Sequence, residues 1–519
     1  MNATLVWLTA LSLSIGWGIR GNFGHEIGAL TPGALAAMAA VLVSGRADWH
    51  RRIAYFGFFG AVGWSFGGSI SYMQVIAYTH SGHSGSVLYG FASLFLIGFL
   101  WAAVGGAGTA LPAILDRERL TGFFAPLLAI FVAWMLQDAT VNAWSTVDPA
   151  FRHESALYWY DTPWLSVLTA LLTVLALALV RRRWDTATAL LVHMTVGWWV
   201  GFLGLVVLLG IRMTPPRGDS WSGSVGMVGG MLWFFWRRGM RELMFAALGA
   251  GFIGGFGFAT ATLFKLMEVK TGWHTNWHSV LEQTYGFING LGIALAMGVL
   301  ARKTPACREE PGLRPWTEVA AAGFVLLGIT YLNLSLNPEE WVRTKAFPPK
   351  LYGLPTGAWF DLAYLLLGLC LLGLLIRRNR RPLAILPATW LGKGQLLYLV
   401  FLWWMVVGNF DRAQAAFAPE RLVTEGVIFL NAVLCTWLVL SPPDPVNPAA
   451  GDGTVFPSAL VRRTVLVGLT GMLLSLLLDW GLVRAIWGDQ FAGYASKHIR
   501  FGPDATATKQ KPKTGQPHP

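Results

Sequence analysis

Apolar runs follow one another along the chain, separated by short polar links. Each run is about 17–25 residues long, enough to cross a bilayer as a helix. They fall near positions 3–19, 29–44, 53–78, 86–112, 122–143, 163–180, 188–211, 223–236, 243–267, 279–301, 316–336, 355–376, 387–409, 422–441 and 463–487. That is about fifteen spans, the second and eighth short enough to be tilted, broken or partly inserted. The pattern predicts an all-α, polytopic membrane protein. Met1–Gly18 lacks a basic leader and a small-residue cleavage site, so it reads as a retained first span.

The runs also repeat. Tyr89-Gly90-Phe91 returns as Tyr285-Gly286-Phe287, and Arg181-Arg182 as Arg377-Arg378. Both pairs are about 196 positions apart, a spacing that marks an internal duplication. Trp144 returns as Trp341, and Gly18-Ile19-Arg20 as Gly210-Ile211-Arg212, at nearly the same offset. These matches predict two parallel six-helix repeats, residues 1–185 and 186–381. A three-helix extension over 382–490 and a polar, disordered tail over 491–519 complete the chain. Arg51-Arg52 with Gly57 and Gly60 resembles Arg462-Arg463 with Gly468 and Gly471, so the last three spans are either a half copy of the unit or a chance match in a Gly-rich chain.

Composition agrees with the spans. Charged residues make up 13% of the chain, about half the share usual in soluble proteins. The 26 Trp suit interfacial anchoring and the 60 Gly close helix packing. The net charge of +12 lies mostly in short links on alternate sides: Arg46–Arg52, Asp116–Arg119, Arg181–Arg183, Trp236–Arg241, Arg302–Arg314 and Arg377–Arg381. This is the positive-inside pattern, not a nucleic-acid footprint. It predicts the cytoplasmic membrane, with the N-terminus inside and, for an odd number of spans, the C-terminus outside. Pro442–Pro457 reads as a mobile link.

Ionisable groups at membrane depth are costly unless paired, which makes them candidates for function. Arg20 opens a loop containing His25 and Glu26; a guanidinium there suits an anionic group and the other two suit proton relay. The matching loop of the second half holds Arg212, Arg217 and Asp219. These six are the expected substrate contacts. Asp138, Glu282 and His193 fall inside spans and are the expected coupling or relay groups, while Asp479 is expected to pair with Arg484. The His80/His83 and His274/His278 spacings lack a further firm ligand, and Cys307, Cys370 and Cys435 have no metal or disulfide spacing, so no metal site is expected. The aromatic runs Tyr158–Asp161 and Trp273–Trp277 suit an interfacial belt or stacking on a sugar or lipid head. No phosphate-binding glycine loop or nucleophile elbow occurs, so no cofactor and no nucleotide-driven step are expected.

The link Gly45-Arg46-Ala47-Asp48-Trp49-His50-Arg51-Arg52 resembles the signature loop of the major facilitator superfamily, a glycine, an aspartate and a terminal basic pair between the second and third spans. It is shorter than that loop and lacks the basic residue after Asp48 and the glycine before the basic pair. The resemblance covers residues 1–381 and implies secondary transport, with the loop helping to gate the cytoplasmic side. Trp390-Leu391-Gly392-Lys393-Gly394-Gln395-Leu396-Leu397-Tyr398 resembles a late segment of multi-span acyltransferases of the heparan glucosaminide acetyltransferase type. That resemblance implies acyl transfer through a membrane histidine, a role His193 would take.

Together these features predict a secondary-active transporter of a small polar or anionic solute, in contact with lipid and coupled to H+ or Na+. The alternatives are an acyl or glycosyl transferase with an external site, or a structural subunit whose residues 387–487 dock a partner.

Overall fold

The computed structural model describes residues 3–24, 27–67, 72–144, 156–213, 220–307, 314–380, 392–415, 419–441 and 456–491. Its helices, in chain order, are α1 (Ala3–Arg20), α2 (Leu30–Leu42), α3 (Ala47–Arg51), α4 (Ile53–Gly67), α5 (Met73–Thr79), α6 (Ser84–Ile114), α7 (Arg117–Thr121), α8 (Phe124–Trp144), α9 (Trp164–Arg181) and α10 (Thr186–Gly201). The second half holds α11 (Ser220–Arg237), α12 (Arg241–Thr271), α13 (Trp277–Lys303), α14 (Trp316–Gly323), α15 (Thr330–Leu334), α16 (Asn337–Arg343), α17 (Thr356–Arg380), α18 (Lys393–Ala415), α19 (Pro419–Leu440) and α20 (Ser458–Trp487). The sheet among the described residues is one hairpin, Lys350–Leu351 against Leu354–Pro355. It turns through Tyr352 and Gly353, both at positive φ, as a two-residue hairpin demands.

Eleven helices among the described residues are long and apolar enough to cross a membrane. Helices dominate because a chain in lipid must satisfy its backbone N–H and C=O groups within each segment. The expected run over 53–78 is divided into α4 and α5. The run over 188–211 leaves α-geometry at Phe202–Leu208, and the run over 316–336 does so at Phe324–Ile329; both stretches are π-helical.

Six helices form the centre. Each packs on the next in the order α1, α2, α4, α6, α12, α13, and α13 returns to α1. Small residues make this approach possible. Gly98, Ala102 and Gly106 form one face of α6 and meet Ala246, Ala250 and Gly254 of α12. A Cβ on Gly98 would stand 2.4 Å from the Gly254 carbonyl oxygen, and one on Gly254 would stand 2.3 Å from the Ala102 Cβ. Such small-residue faces replace the hydrophobic drive that lipid removes. α13 reaches α1 in the same way, with a Gly286 Cβ falling 2.7 Å from the Leu13 carbonyl oxygen.

The remaining helices flank this centre. α18 and α19, from the last spans, pack on α1, where Ser12 and Tyr398 share a 2.6 Å hydrogen bond. α20 lies along α12 and α6, with the Trp487 indole donating to the Leu266 carbonyl. Asp479 of α20 accepts from Thr260 at 3.3 Å, while Arg484 lies over Trp480, so the expected Asp479–Arg484 pair does not form. Outer helices such as α9, α17 and α20 expose long rows of Leu and Val, a surface suited to lipid rather than water.

One end of the centre is fastened by the Gly45–Arg52 link. Arg46 binds Asp48 through two N–H···O bonds of 2.7 and 2.8 Å and donates to the carbonyls of Ala301, Thr304 and Pro305 at the end of α13. Arg52 donates to Pro112 and Leu115 at the end of α6. Two guanidinium groups thus cap two helix C-termini, where unpaired carbonyls concentrate negative charge. The Cys307 backbone N–H donates to Asp48, and burial pushes the Cys307 thiol up to about 11, which keeps it protonated and unreactive. Burial opposes ionisation of Asp48, but the Arg46 hydrogen bonds, then the Cys307 N–H, overcome it and bring the carboxyl from 3.8 to about 2.

Two outcomes follow. Gly98→Val should prevent α6 and α12 from closing and yield little monodisperse protein in detergent extraction. Because the folded Asp48 carboxyl titrates below its unfolded value, the clamp contributes its full stability above about pH 4 and loses it as pH falls toward about 2. Thermal melts of Asp48→Asn should therefore lie below wild type at neutral pH and converge with it in strong acid.

Candidate functional site

The opposite end of α13 holds a deeply buried pair of charges. Arg20 ends α1 and Glu282 lies in the second turn of α13, each with 2% of its side chain exposed. The Arg20 Nη1 donates to Glu282 Oε1 at 2.6 Å. The Tyr72 hydroxyl donates to the same oxygen at 2.8 Å and receives Arg20 Nη1 at 3.3 Å. His278, one turn before Glu282, places Nε2 3.0 Å from the Tyr72 hydroxyl and 3.5 Å from Glu282 Oε1. One carboxylate oxygen therefore gathers a guanidinium, a phenol and an imidazole from three parts of the chain.

Aromatic rings enclose the pair. The Arg20 guanidinium carbon lies 5.2 Å from the Trp17 ring centroid, 5.5 Å from Trp101 and 5.7 Å from Tyr72. Trp17 and Trp101 stack at 5.0 Å, and Tyr285 meets Trp17 edge-on at 4.7 Å. Phe258 closes the set against Tyr72, Trp101 and Tyr285. These rings exclude water and offer π faces to the cation, which strengthens the ion pair in a medium of low dielectric.

The loop after α1 is shaped around this pair. Gly21 lets the backbone rest on Glu282, since a Cβ there would stand 2.6 Å from Oε2. Gly24 turns the chain at φ +89°, a conformation that side-chain-bearing residues avoid. Asn22 then donates to Asn409 of α18 at 2.6 Å, and Asn409 donates to the buried Glu425 of α19 at 2.5 Å. Gln283 joins the same region, donating to the Thr424 carbonyl at 3.1 Å.

Of the residues expected from sequence, the structure unites Arg20 and Glu282. Arg212 is buried elsewhere, its guanidinium carbon 4.8 Å from the Tyr160 ring centroid. Asp138 is exposed on α8, beside Gln137, which bonds Ser166 and Thr169 of α9. His193 places Nδ1 2.7 Å from the Ala189 carbonyl oxygen one turn back and meets the Phe234 ring edge-on. His25, Glu26, Arg217 and Asp219 lie outside the described residues. Tyr72, His278 and the Trp17/Trp101 box were not singled out as site residues from sequence. The i,i+4 spacing of His278 and Glu282 on one helix was their available signal. No group of three or more metal-ligating side chains occurs among the described residues.

Set against protein-family models, curated proteins and solved structures, the chain matches none. The geometry alone therefore carries the functional argument. It defines a multi-pass helical protein with an aromatic-walled, charged centre near one end of its core.

Removing one partner of a buried pair leaves an uncompensated charge, at a cost of about 3–5 kcal/mol. Arg20→Met or Glu282→Leu alone should therefore lower the unfolding temperature in mild detergent sharply. The double variant should recover much of the loss, and equal melting of single and double variants would contradict the pairing.

Proposed function

We propose that the chain is a secondary-active transporter of a small anionic or polar solute, with Arg20 as the solute contact and Glu282 as its exchangeable partner. The carrying observation is the Arg20–Glu282 pair, held in an aromatic box at the meeting of α1, α6 and α13. A structural ion pair gains little over an apolar replacement in such a setting, so a solute-binding role accounts better for the buried guanidinium.

The two-repeat reading belongs to this proposal and draws support from a reciprocal contact. Arg20 of the first half has Tyr285 of the second beside its box, and the carbonyls of Arg212 and Met213 accept from Tyr89 of the first half. Tyr89 and Tyr285 are the repeated tyrosines of the sequence. Each repeated tyrosine thus packs against the other half beside the repeated arginine, Tyr285 on Trp17 one turn from Arg20 and Tyr89 on the backbone at Arg212 and Met213, a placement that suits two related units sharing a site.

The likeness to the major facilitator loop also belongs here. Arg46, Asp48 and Arg52 tie the ends of α6 and α13, and Glu282 lies near the far end of the same α13, about 30 Å away at 1.5 Å per residue. A clamp at one end and a solute-binding pair toward the other suit alternating access. On this reading the Arg46 end faces the cytoplasm and the Arg20 end the outside. Asp138 and His193, which lie apart from the pair, take no part.

Uptake of radiolabelled acetate, chloride and phosphate into vesicles reconstituted with the purified chain tests the proposal. At least one anion should enter above protein-free vesicles. Arg20→Lys should abolish that uptake, because an ammonium lacks the guanidinium fork, and Asp138→Asn should leave it unchanged. Uptake untouched by Arg20→Lys, or none above background, would overturn the transport reading.

A further inference from the structure

The span Trp316–Arg343 is interrupted twice, at the π-helical Phe324–Ile329 and again between α15 and α16. At the second break Pro338 has no N–H to give the Leu334 carbonyl four residues before it. The Asn333 carbonyl takes the N–H of Leu336, only three residues on, at 3.3 Å. Asn333 and Asn337 stand on either side of this break, and both are fully buried. A backbone carbonyl orients each amide, because a carbonyl accepts only N–H. Asn333 Nδ2 donates to the Ile329 carbonyl at 2.7 Å, and Asn337 Nδ2 donates to the Gly408 carbonyl of α18 at 2.8 Å. Both Oδ1 atoms are thereby fixed as acceptors, and neither has a hydrogen-bond partner. The Tyr364 phenol of α17 lies beside Asn337 without bonding its Oδ1. Buried acceptors without donors are costly, and two of them four residues apart call for a positively charged ligand.

A second observation concerns access. An open cavity of 580 Å³ comes up to the same break. Ser335, Leu336 and Pro338 form part of its wall, the last two being the chain neighbours of Asn337. Glu339 and Asp361 bring carboxylates to that wall, whereas its Arg343 is engaged by Glu340 at 2.5 and 3.0 Å. Carboxylates lining an open cavity raise the local concentration of cations. The cavity therefore delivers positive ions to the backbone beside the two amide oxygens.

We propose that the break between α15 and α16 binds a monovalent alkali cation, Na+ or K+, through the amide oxygens of Asn333 and Asn337. Neutral oxygens of this kind replace the hydration shell of a monovalent ion, whereas Ca2+ and Mg2+ are ordinarily held by carboxylates. Interrupted spans place such oxygens at membrane depth, where they hold coupling ions. Gly408 lets α15 come close to α18, since a Cβ there would stand 2.4 Å from Leu334 Cδ2. The next residue of α18, Asn409, accepts from Asn22 in the loop after Arg20. A cation on Asn337 therefore bears on the Arg20 site through two adjacent residues of α18. Its role as a coupling ion rests on the transport reading above, but the binding itself is an equilibrium of the isolated protein.

Thermal unfolding of the purified full-length chain in detergent, in NaCl, KCl or choline chloride at equal ionic strength, tests this. The unfolding temperature should rise with Na+ or K+ concentration above its value in choline, because a ligand held only by the folded state stabilises it. The alkali ion that acts at the lower concentration is the ligand. Asn333→Leu and Asn337→Leu each remove one oxygen at similar volume, and the half-saturating concentration should rise about tenfold or more, since affinity follows the number of ligands. Asn337→Asp puts a second oxygen beside the Gly408 carbonyl, where only a cation can bridge the two, so its response should be stronger than wild type. A wild-type protein that melts alike in all three salts, as it would with ordered water alone at the break, would overturn the proposal. So would folded leucine variants that keep the wild-type response, a folded Asn337→Asp protein with none, or a stronger response to Ca2+ than to either alkali ion. Alkali-ion stabilisation without anion uptake into vesicles would leave the cation site standing and overturn transport. Arg20-dependent uptake in a protein that no alkali ion stabilises would do the reverse.

Discussion

A guanidinium and a carboxylate taken out of water each carry a desolvation penalty of several kcal/mol, and they tolerate burial only together. That constraint organises this protein. Arg20 sits at the end of the first helix and Glu282 in the second turn of α13, far apart in sequence, yet neither can be buried until the other arrives. Joining them brings α13 onto α1 and closes the ring of six central helices. The aromatic box then follows. Trp17 is one turn before Arg20 on α1, Tyr285 is three residues after Glu282 on α13, and Trp101 and Phe258 come from the two helices between α4 and α13. Their faces replace the water that the charges gave up.

The two ends of α13 are treated in contrasting ways. At the far end, Arg46 and Arg52 cap backbone carbonyls, and Asp48 is held by three N–H donors. These contacts are many and local and use backbone acceptors that cannot leave. Near its start the pair depends on one carboxylate oxygen shared among Arg20, Tyr72 and His278, all of them side chains. The Arg20–Glu282 pair is also braced from outside, through Asn22, Asn409 and Glu425, by helices α18 and α19. This gives the last part of the chain a place beside the site rather than at the edge of the molecule.

Much of the architecture was legible from hydrophobic length alone. Apolar runs fall on helices, eleven of them among the described residues long and apolar enough to cross a membrane, because lipid leaves the backbone no other way to satisfy itself over such a length. The breaks were not legible. The separation of α4 from α5 and the π-helical turns at Phe202–Leu208 and Phe324–Ile329 lie inside runs whose composition is uniformly apolar, and hydropathy does not report hydrogen-bond pattern. For the site, rarity of charge inside spans singled out Arg20 and Glu282, which the structure brings together as a buried ion pair. The same rule also picked out Asp138 and His193, which turn out to be an exposed residue and one bonded to its own helix. Charge in a span says that a partner or an exit is needed, but not which.

Sequence by itself determined that this is a multi-pass helical membrane protein and where its charges and aromatics fall along each helix. Those properties are local, set by run length and by the cost of each side chain in lipid. It did not determine that Glu282 belongs to Arg20 or that Tyr72 and His278 share the same oxygen. Nor did it foretell that two arginines of one short link cap α6 and α13. Pairing across more than two hundred residues depends on which helix faces press together. Small residues such as Gly98, Gly254 and Gly286 allow that contact, and only the assembled tertiary structure selects it.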